Sequence, residues 1–119
     1  MTPAGMAWGW AVLAVAVGGS VGAVARHLLT VTRWGSLRGV LVANTLGSVA
    51  LGALVAVEPP RLVLLLLGTG LCGALTTWST LAVQVAGLGR RSPARAAAYL
   101  ALTLVLGVGS ALATLTLLG

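Results

Sequence analysis

The sequence predicts an all-α membrane protein with four transmembrane helices, the third of which is broken in mid-membrane. Of its 119 residues, 59% are apolar and 7% are charged, whereas a soluble domain carries roughly 25% charged residues. Four apolar runs are each long enough to cross a bilayer, which takes about 20 residues. The third run is too long for one straight span and is polar at its centre.

The four runs cover residues 8–29, 39–57, 62–89 and 96–119. Their connections are short, so they form a single transmembrane domain over residues 1–119. No Lys or Arg precedes the first run, so we do not expect a cleaved signal peptide, which begins with a basic segment. Pro59 and Pro60 indicate a helix stop, and Ser92 with Pro93 indicates a helix start.

Small residues recur at helix-packing spacing in the first two runs. Gly18 and Gly22 lie four residues apart in the first run, and Ser48 and Gly52 do so in the second. Such pairs let helix backbones approach closely in a membrane. Glycine is also common in membrane helices generally, so each pair is either a packing site or a consequence of composition.

The third run contains 28 residues without a charge. A continuous helix of that length would extend about 42 Å, well beyond a hydrocarbon core of about 30 Å. Four Thr, one Ser and three Gly fall within residues 68–80. Irregular backbone at membrane depth is tolerated only where protein buries it or water reaches it, and interrupted helices mark ion and substrate sites. The sequence therefore predicts an ion site at the break.

The break offers two kinds of ligand. An interrupted helix frees backbone carbonyls, which suit a small hard cation such as Na⁺. The hydroxyls of Thr76, Thr77, Ser79 and Thr80 either donate to an anion or bond back to a carbonyl of their own helix. Four hydroxyls in five positions favour the first interpretation.

Two polar residues of the first and second runs are further candidates. Arg26 follows a long apolar run, so its guanidinium either extends to the lipid headgroups or attracts anions at a pore mouth. Asn44 is the only amide of the second run. A buried Asn needs hydrogen-bond partners, so it either joins two helices or points its NH₂ group at an anion.

The fourth run carries a polar stripe formed by Tyr99, Thr103 and Gly107. Residues four apart share one face of a helix. A polar stripe on an apolar helix should face protein or water rather than lipid. We therefore expect this face to line the ion path or a helix contact.

Several functions are disfavoured by what the sequence lacks. Glu58 is the only acidic residue and lies in a loop, so no buried carboxylate is available to carry protons or bind an organic cation. Because metal-ligand clusters, nucleophile–base sets and phosphate-binding loops are missing, we expect no enzymatic activity. The net charge of +6 comes from Arg residues between apolar runs, which indicates membrane topology rather than nucleic-acid binding.

The arginines are distributed unequally between the two ends of the predicted bundle. One end carries Arg33, Arg38, Arg90, Arg91 and Arg95. The other end carries only Arg61, a bias of 5 − 1 = 4 when Arg26, near the end of the first helix, is left out. By the positive-inside rule, both termini face outward.

Three segments resemble the Fluc (CrcB) fluoride channels. They are residues 18–26 (GGSVGAVAR), 42–48 (VANTLGS) and 70–80 (GLCGALTTWST). Each segment alone is moderately specific, whereas all three in order along a four-span chain of this length are a strong match. The resemblance covers nearly the whole chain.

The resemblance implies a plasma-membrane channel that exports cytoplasmic fluoride passively. It implies an antiparallel dimer with two narrow pores and a central structural Na⁺, held by backbone carbonyls at positions matching Gly73 and Thr76. The fluoride path would use Asn44 and the hydroxyls of Ser79, Thr80 and Thr103, with Arg26 toward the vestibule. Fluoride is strongly hydrated, so a pore must replace its water with hydrogen-bond donors.

The chain departs from the family at two positions that are usually Phe. Trp78 keeps an aromatic edge, which can face an anion, and adds an N–H donor. Leu81 offers neither. Homodimers of the family insert in both orientations and should show little charge bias, so the arginine distribution predicts one half of a heterodimer.

Two alternative functions remain at this point. A non-conducting helper subunit would complete a dimer whose working pore uses the partner's Phe residues. A drug exporter of the small multidrug type shares the length and the four helices. That second class needs a membrane-embedded acid, which this sequence lacks.

Overall fold

The computed structural model describes residues 3–119 and shows four long apolar helical spans, as predicted. The first two are α1 (Pro3–Thr30) and α2 (Ser36–Val57). The third span is divided into α3, residues 61–75, and α4 (Ser79–Arg91). The fourth is α5 (Pro93–Leu118). Each span is long and apolar enough to cross a membrane.

The connections are shorter than the sequence suggested. Residues 31–35 join α1 to α2, residues 58–60 join α2 to α3, and Ser92 alone separates α4 from α5. Arg33 stays in the first connection, whereas the other arginines expected in loops lie in the helix ends, where long cationic side chains can reach the headgroups. Gly35 has a φ of 93°, a left-handed conformation that favours glycine and allows the tight return into α2.

The predicted helix start at Ser92 and Pro93 is confirmed. The Ser92 Oγ accepts a hydrogen bond from the Arg95 N–H at 3.3 Å, and Pro93 is the first residue of α5. This side chain satisfies one of the backbone donors that every helix N-terminus leaves free.

We expect Ser92→Ala to lower the free energy of unfolding by about 1 kcal/mol, because the α5 N-terminus loses its cap. Thermal unfolding of the purified protein in detergent measures the change. Ser36→Ala is the matched control, since Ser36 starts α2 without capping it through its side chain. Equal effects of the two substitutions would contradict the capping role.

The first part of the third span is wound more widely than an α-helix, which the sequence did not predict. Residues Leu64–Cys72 are π-helical, and the Gly73 N–H donates to the Gly68 carbonyl five residues earlier. Such windings are rare and often lie at functional sites. The wide turns and the break that follows shorten and reshape the over-long third run.

The small-residue pairs lie where helices meet. A Cβ at Gly18 would collide with the Leu66 carbonyl, and one at Gly22 with the Leu71 carbonyl. The first pair therefore lets α1 approach the backbone of α3. In the second pair, Gly52 lies directly against α5. Both pairs are thus packing sites, and they place α1 on α3 and α2 on α5.

One end of the bundle is tied together by Tyr99 on α5. Its hydroxyl oxygen lies 3.0 Å from the Leu37 carbonyl oxygen of α2 and 2.7 Å from the Gln84 side-chain oxygen of α4, and its single proton is shared between these two acceptors. Leu37 precedes Arg38, and Tyr99 lies one turn after Arg95. The structure therefore groups the basic helix ends, as the topology inferred from the sequence requires.

Candidate ion site at the break of the third span

The break lies between the C-terminus of α3 and the N-terminus of α4. Thr76 is extended, with φ −79° and ψ 152°, and α4 resumes at Ser79. A helix C-terminus presents free carbonyls and partial negative charge, and a helix N-terminus presents free N–H groups and partial positive charge. The break therefore offers groups suited to a cation and to an anion within a few residues.

Asn44 of α2 holds the break through two hydrogen bonds to the backbone of Thr77. Its Oδ1 accepts from the Thr77 N–H at 2.7 Å, and its Nδ2 donates to the Thr77 carbonyl at 3.1 Å. The side chain is only 9% exposed. Asn44 therefore joins two helices, which was one of its two expected roles. The amide still has a second N–H that can serve the other role.

Arg26 of α1 lies beside the same break. Its Nη1 donates to the Ala74 carbonyl at 2.7 Å, and the contact is partly buried. The guanidinium thus caps the C-terminus of α3, where a positive charge is favourable. This position places the guanidinium at the break, and a role toward anions stays a prediction. Arg has five N–H donors, so others remain for an anion.

The hydroxyls after the break surround Thr77. Its Oγ1 accepts from the Thr80 N–H at 3.2 Å, donates to the Thr80 Oγ1 at 3.2 Å and lies 3.4 Å from the Ser79 Oγ. Ser79 and Thr80 are exposed in the single chain. Thr77 therefore orders the first turn of α4 and keeps two accessible hydroxyls together.

The hydroxyls of Thr76 and Thr103 bond back to their own helices. The Thr76 Oγ1 donates to the Cys72 carbonyl at 3.0 Å, and the Thr103 Oγ1 donates to the Tyr99 carbonyl at 2.8 Å. Thr103 is buried, with 5% of its surface exposed. In this arrangement both residues offer oxygen lone pairs to the site rather than a free proton.

An open groove of about 660 Å³ runs between α2, the third span and α5. Five residues predicted for the ion sites line it: Asn44, Gly73, Thr76, Trp78 and Thr103. Arg26, Ser79 and Thr80 are not among its lining residues. The predicted set is therefore divided between the groove and the neighbouring surface of the break.

The two positions that depart from the family pattern behave differently. Trp78 is 66% exposed, whereas Leu81 is 2% exposed, and both contribute to the groove. Leu81 serves the packing of this chain. The indole of Trp78 is free to contact a partner, lipid or an ion.

Gln84 is a polar residue near the site that the sequence reading missed. It belongs to α4 and contacts the Tyr99 hydroxyl at 2.7 Å. The sequence contained an indication of its importance, because Gln84 is the only amide in the third apolar run. Tyr99 itself is directed to Gln84 and Leu37 in this structure, whereas Thr103 and Gly107 of the predicted stripe line the groove.

Comparison with known proteins identifies the family. The model of the CrcB-like protein family, Camphor Resistance (CrcB), matches residues 13–115, which include the break and its contacts from α1 and α2. The chain belongs to the CrcB family. The resemblance seen in the sequence is thereby confirmed, and the chain is a membrane protein of a channel family rather than an enzyme.

Curated relatives of the CrcB chain are similar over most of their length. The fluoride-specific ion channel FluC 1 of Geobacillus kaustophilus is 42% identical over 106 residues, covering 83% of this chain and 90% of the relative. FluC 2 of Halobacterium salinarum is 46% identical over 104 residues, covering 82% and 78%. FluC of Deinococcus radiodurans is 38% identical over 117 residues, covering 89% and 90%.

Proposed function

We propose that this protein is a fluoride-selective channel subunit that lowers cytoplasmic fluoride by passive export across the cell membrane. The observation that carries the proposal is its similarity, over about four fifths of the chain, to relatives named as fluoride-specific ion channels. The break supports it, because hydrogen-bond donors and free backbone carbonyls lie there at membrane depth.

The fluoride path that we propose uses donors from three spans. The second N–H of Asn44, the hydroxyls of Ser79 and Thr80 and the indole of Trp78 would replace water around the ion. Arg26 would raise the local concentration of anions beside the break. Thr103 would contribute on rotation of its hydroxyl away from the Tyr99 carbonyl.

The carbonyls of Gly73 and Thr76 fit a structural Na⁺. Helix α3 ends at Leu75 and Thr76 is extended, so the last carbonyls of this helix lie outside the regular hydrogen-bond pattern. Both residues line the groove, and uncharged backbone oxygens suit Na⁺. When bound, the ion would place a fixed positive charge close to the anion path.

The open groove supports assembly with a second subunit. Four short spans do not enclose a path by themselves, and the groove exposes polar groups that lipid cannot satisfy. We propose an antiparallel dimer in which the partner covers this face. The five-to-one arginine bias favours a different homologue in the opposite orientation as that partner.

Reconstitution into liposomes tests the proposal and the choice of partner. We expect slow fluoride efflux with this chain alone and rapid efflux with an oppositely oriented homologue, measured with a fluoride electrode. Chloride in place of fluoride is the control for selectivity. Rapid efflux with this chain alone would contradict the heterodimer, whereas no efflux in any combination would contradict the channel.

A non-conducting helper subunit is the second candidate function. The observation that favours it is Leu81, which is buried and gives no aromatic edge where the family usually has Phe. A pure helper should tolerate the loss of Asn44 or Ser79 donors without a change in efflux. In a subunit that lines a working path, the same losses should lower fluoride efflux.

A further inference from the structure

The Asn44 side chain diverts one backbone donor at the break. In an uninterrupted α-helix the Thr77 N–H would donate to the carbonyl four residues earlier, that of Gly73. Here the Thr77 N–H donates to the Asn44 Oδ1 at 2.7 Å instead. The residue before it still follows the helical pattern, because the Thr76 N–H donates to the Cys72 carbonyl at 3.0 Å. The Gly73 carbonyl is therefore the first one that loses its regular helical donor.

We propose that Asn44 is the positioning residue of the cation site, because it keeps the Gly73 carbonyl free by holding the Thr77 N–H. This inference rests on the proposed Na⁺ at Gly73 and Thr76. In this inference the oxygen and the nitrogen of the Asn44 amide serve two different ions. The Oδ1 end prepares the carbonyl for the cation, and the free N–H of the Nδ2 end remains for the anion.

The competition at Gly73 gives the inference its physical basis. Without an acceptor at position 44, the partly buried Thr77 N–H needs another partner, and the Gly73 carbonyl is its regular helical one. The same oxygen cannot serve Na⁺ fully while it accepts that bond. Loss of the acceptor should therefore weaken cation binding even though position 44 need not touch the cation.

Sodium-dependent thermal stability tests the inference without relying on transport. A cation that binds only the folded state raises the melting temperature with its concentration. We would titrate NaCl against KCl at constant ionic strength in the detergent-purified dimer that conducts fluoride and record the Na⁺ midpoint. Asn44→Asp keeps the acceptor, so it should not weaken Na⁺ binding by more than about threefold. Asn44→Leu removes it and should raise the midpoint about tenfold, the effect of one re-formed hydrogen bond.

A second substitution separates positioning from general damage. Thr77→Pro removes the N–H that competes for Gly73, and the extended backbone of Thr76 is the conformation that a following Pro requires. The double variant Asn44→Leu/Thr77→Pro should therefore have a Na⁺ midpoint within about threefold of that of Thr77→Pro alone, which shares the loss of the Thr77 hydroxyl. Ser48→Ala is the matched control, since its hydroxyl lies one turn away and donates to the Asn44 carbonyl.

The outcomes distinguish this inference from the proposed sodium site. Equal stabilisation of the original protein by Na⁺ and K⁺ would overturn the sodium site, and the inference with it. Na⁺-specific stabilisation that survives Asn44→Leu unchanged would overturn the inference alone. So would a midpoint that Asn44→Leu still raises about tenfold in the Thr77→Pro background. If Asn44→Leu does not fold, a tenfold weaker midpoint in Asn44→Asp would also overturn it.

Discussion

Gly22→Ala is expected to destabilise the fold strongly. The added Cβ would overlap the backbone carbonyl of Leu71 and lie 3.1 Å from the Ala74 Cβ. Neither group is the flexible end of a side chain, so α1 must move away from α3. Overpacking of this kind costs about 3 kcal/mol, which is a large part of the stability of a small domain. The yield of monodisperse protein and its melting temperature measure the loss.

Gly109→Ala is the matched control for this substitution. Gly109 lies in α5 with nothing within 4 Å of the position that its Cβ would take, and Ala favours a helix over Gly by about 1 kcal/mol. We expect it to be neutral or stabilising. If Gly22→Ala and Gly109→Ala lower the stability equally, close packing of α1 on α3 does not explain why position 22 needs glycine.

Removing the hydroxyls that follow the break should reduce fluoride efflux strongly. In the double variant Ser79→Ala/Thr80→Val the ion loses two donors, and hydrogen bonds to charged groups are worth about 1.5–3 kcal/mol each. We expect efflux to fall at least about 100-fold in the combination of subunits that conducts. A fluoride electrode on loaded liposomes gives the rate.

Thr116→Val controls for the loss of a hydroxyl elsewhere in the same membrane domain. The Thr116 hydroxyl bonds to carbonyls of its own helix and is exposed, so efflux should be unchanged. Unchanged efflux in Ser79→Ala/Thr80→Val as well would mean that the working path lies along the partner. The helper function would then replace the channel function for this chain.

Composition and spacing were sufficient to predict the architecture around the site. Apolar run length depends only on bilayer thickness, so the four spans could be counted from the sequence. The over-long third run with its cluster of hydroxyls predicted a break, and the structure has one at residues 76–78. The glycine spacing in α1 allowed a close helix contact as one of two interpretations, and it did not say which helix would make that contact.

The pairing of particular groups at the break was beyond the sequence. The positions of Arg26 and Asn44 in the sequence do not indicate their partners. Arg26 binds the Ala74 carbonyl, and Asn44 binds the backbone of Thr77. The π-helical winding before the break was equally hidden, because a wider turn depends on packing against neighbouring helices. The contact between Gln84 and the Tyr99 hydroxyl was hidden as well, because it joins two different helices.

The sequence by itself determined the number of spans, the basic end, the family and the set of polar residues available for ions. These follow from local chemistry, because the length of an apolar run, the position of a charge and the type of a residue do not depend on how the helices pack. Only the tertiary structure decided which donors meet which carbonyls at the break. That choice depends on contacts between residues 33 to 48 positions apart, which form only when α1 and α2 pack against the third span.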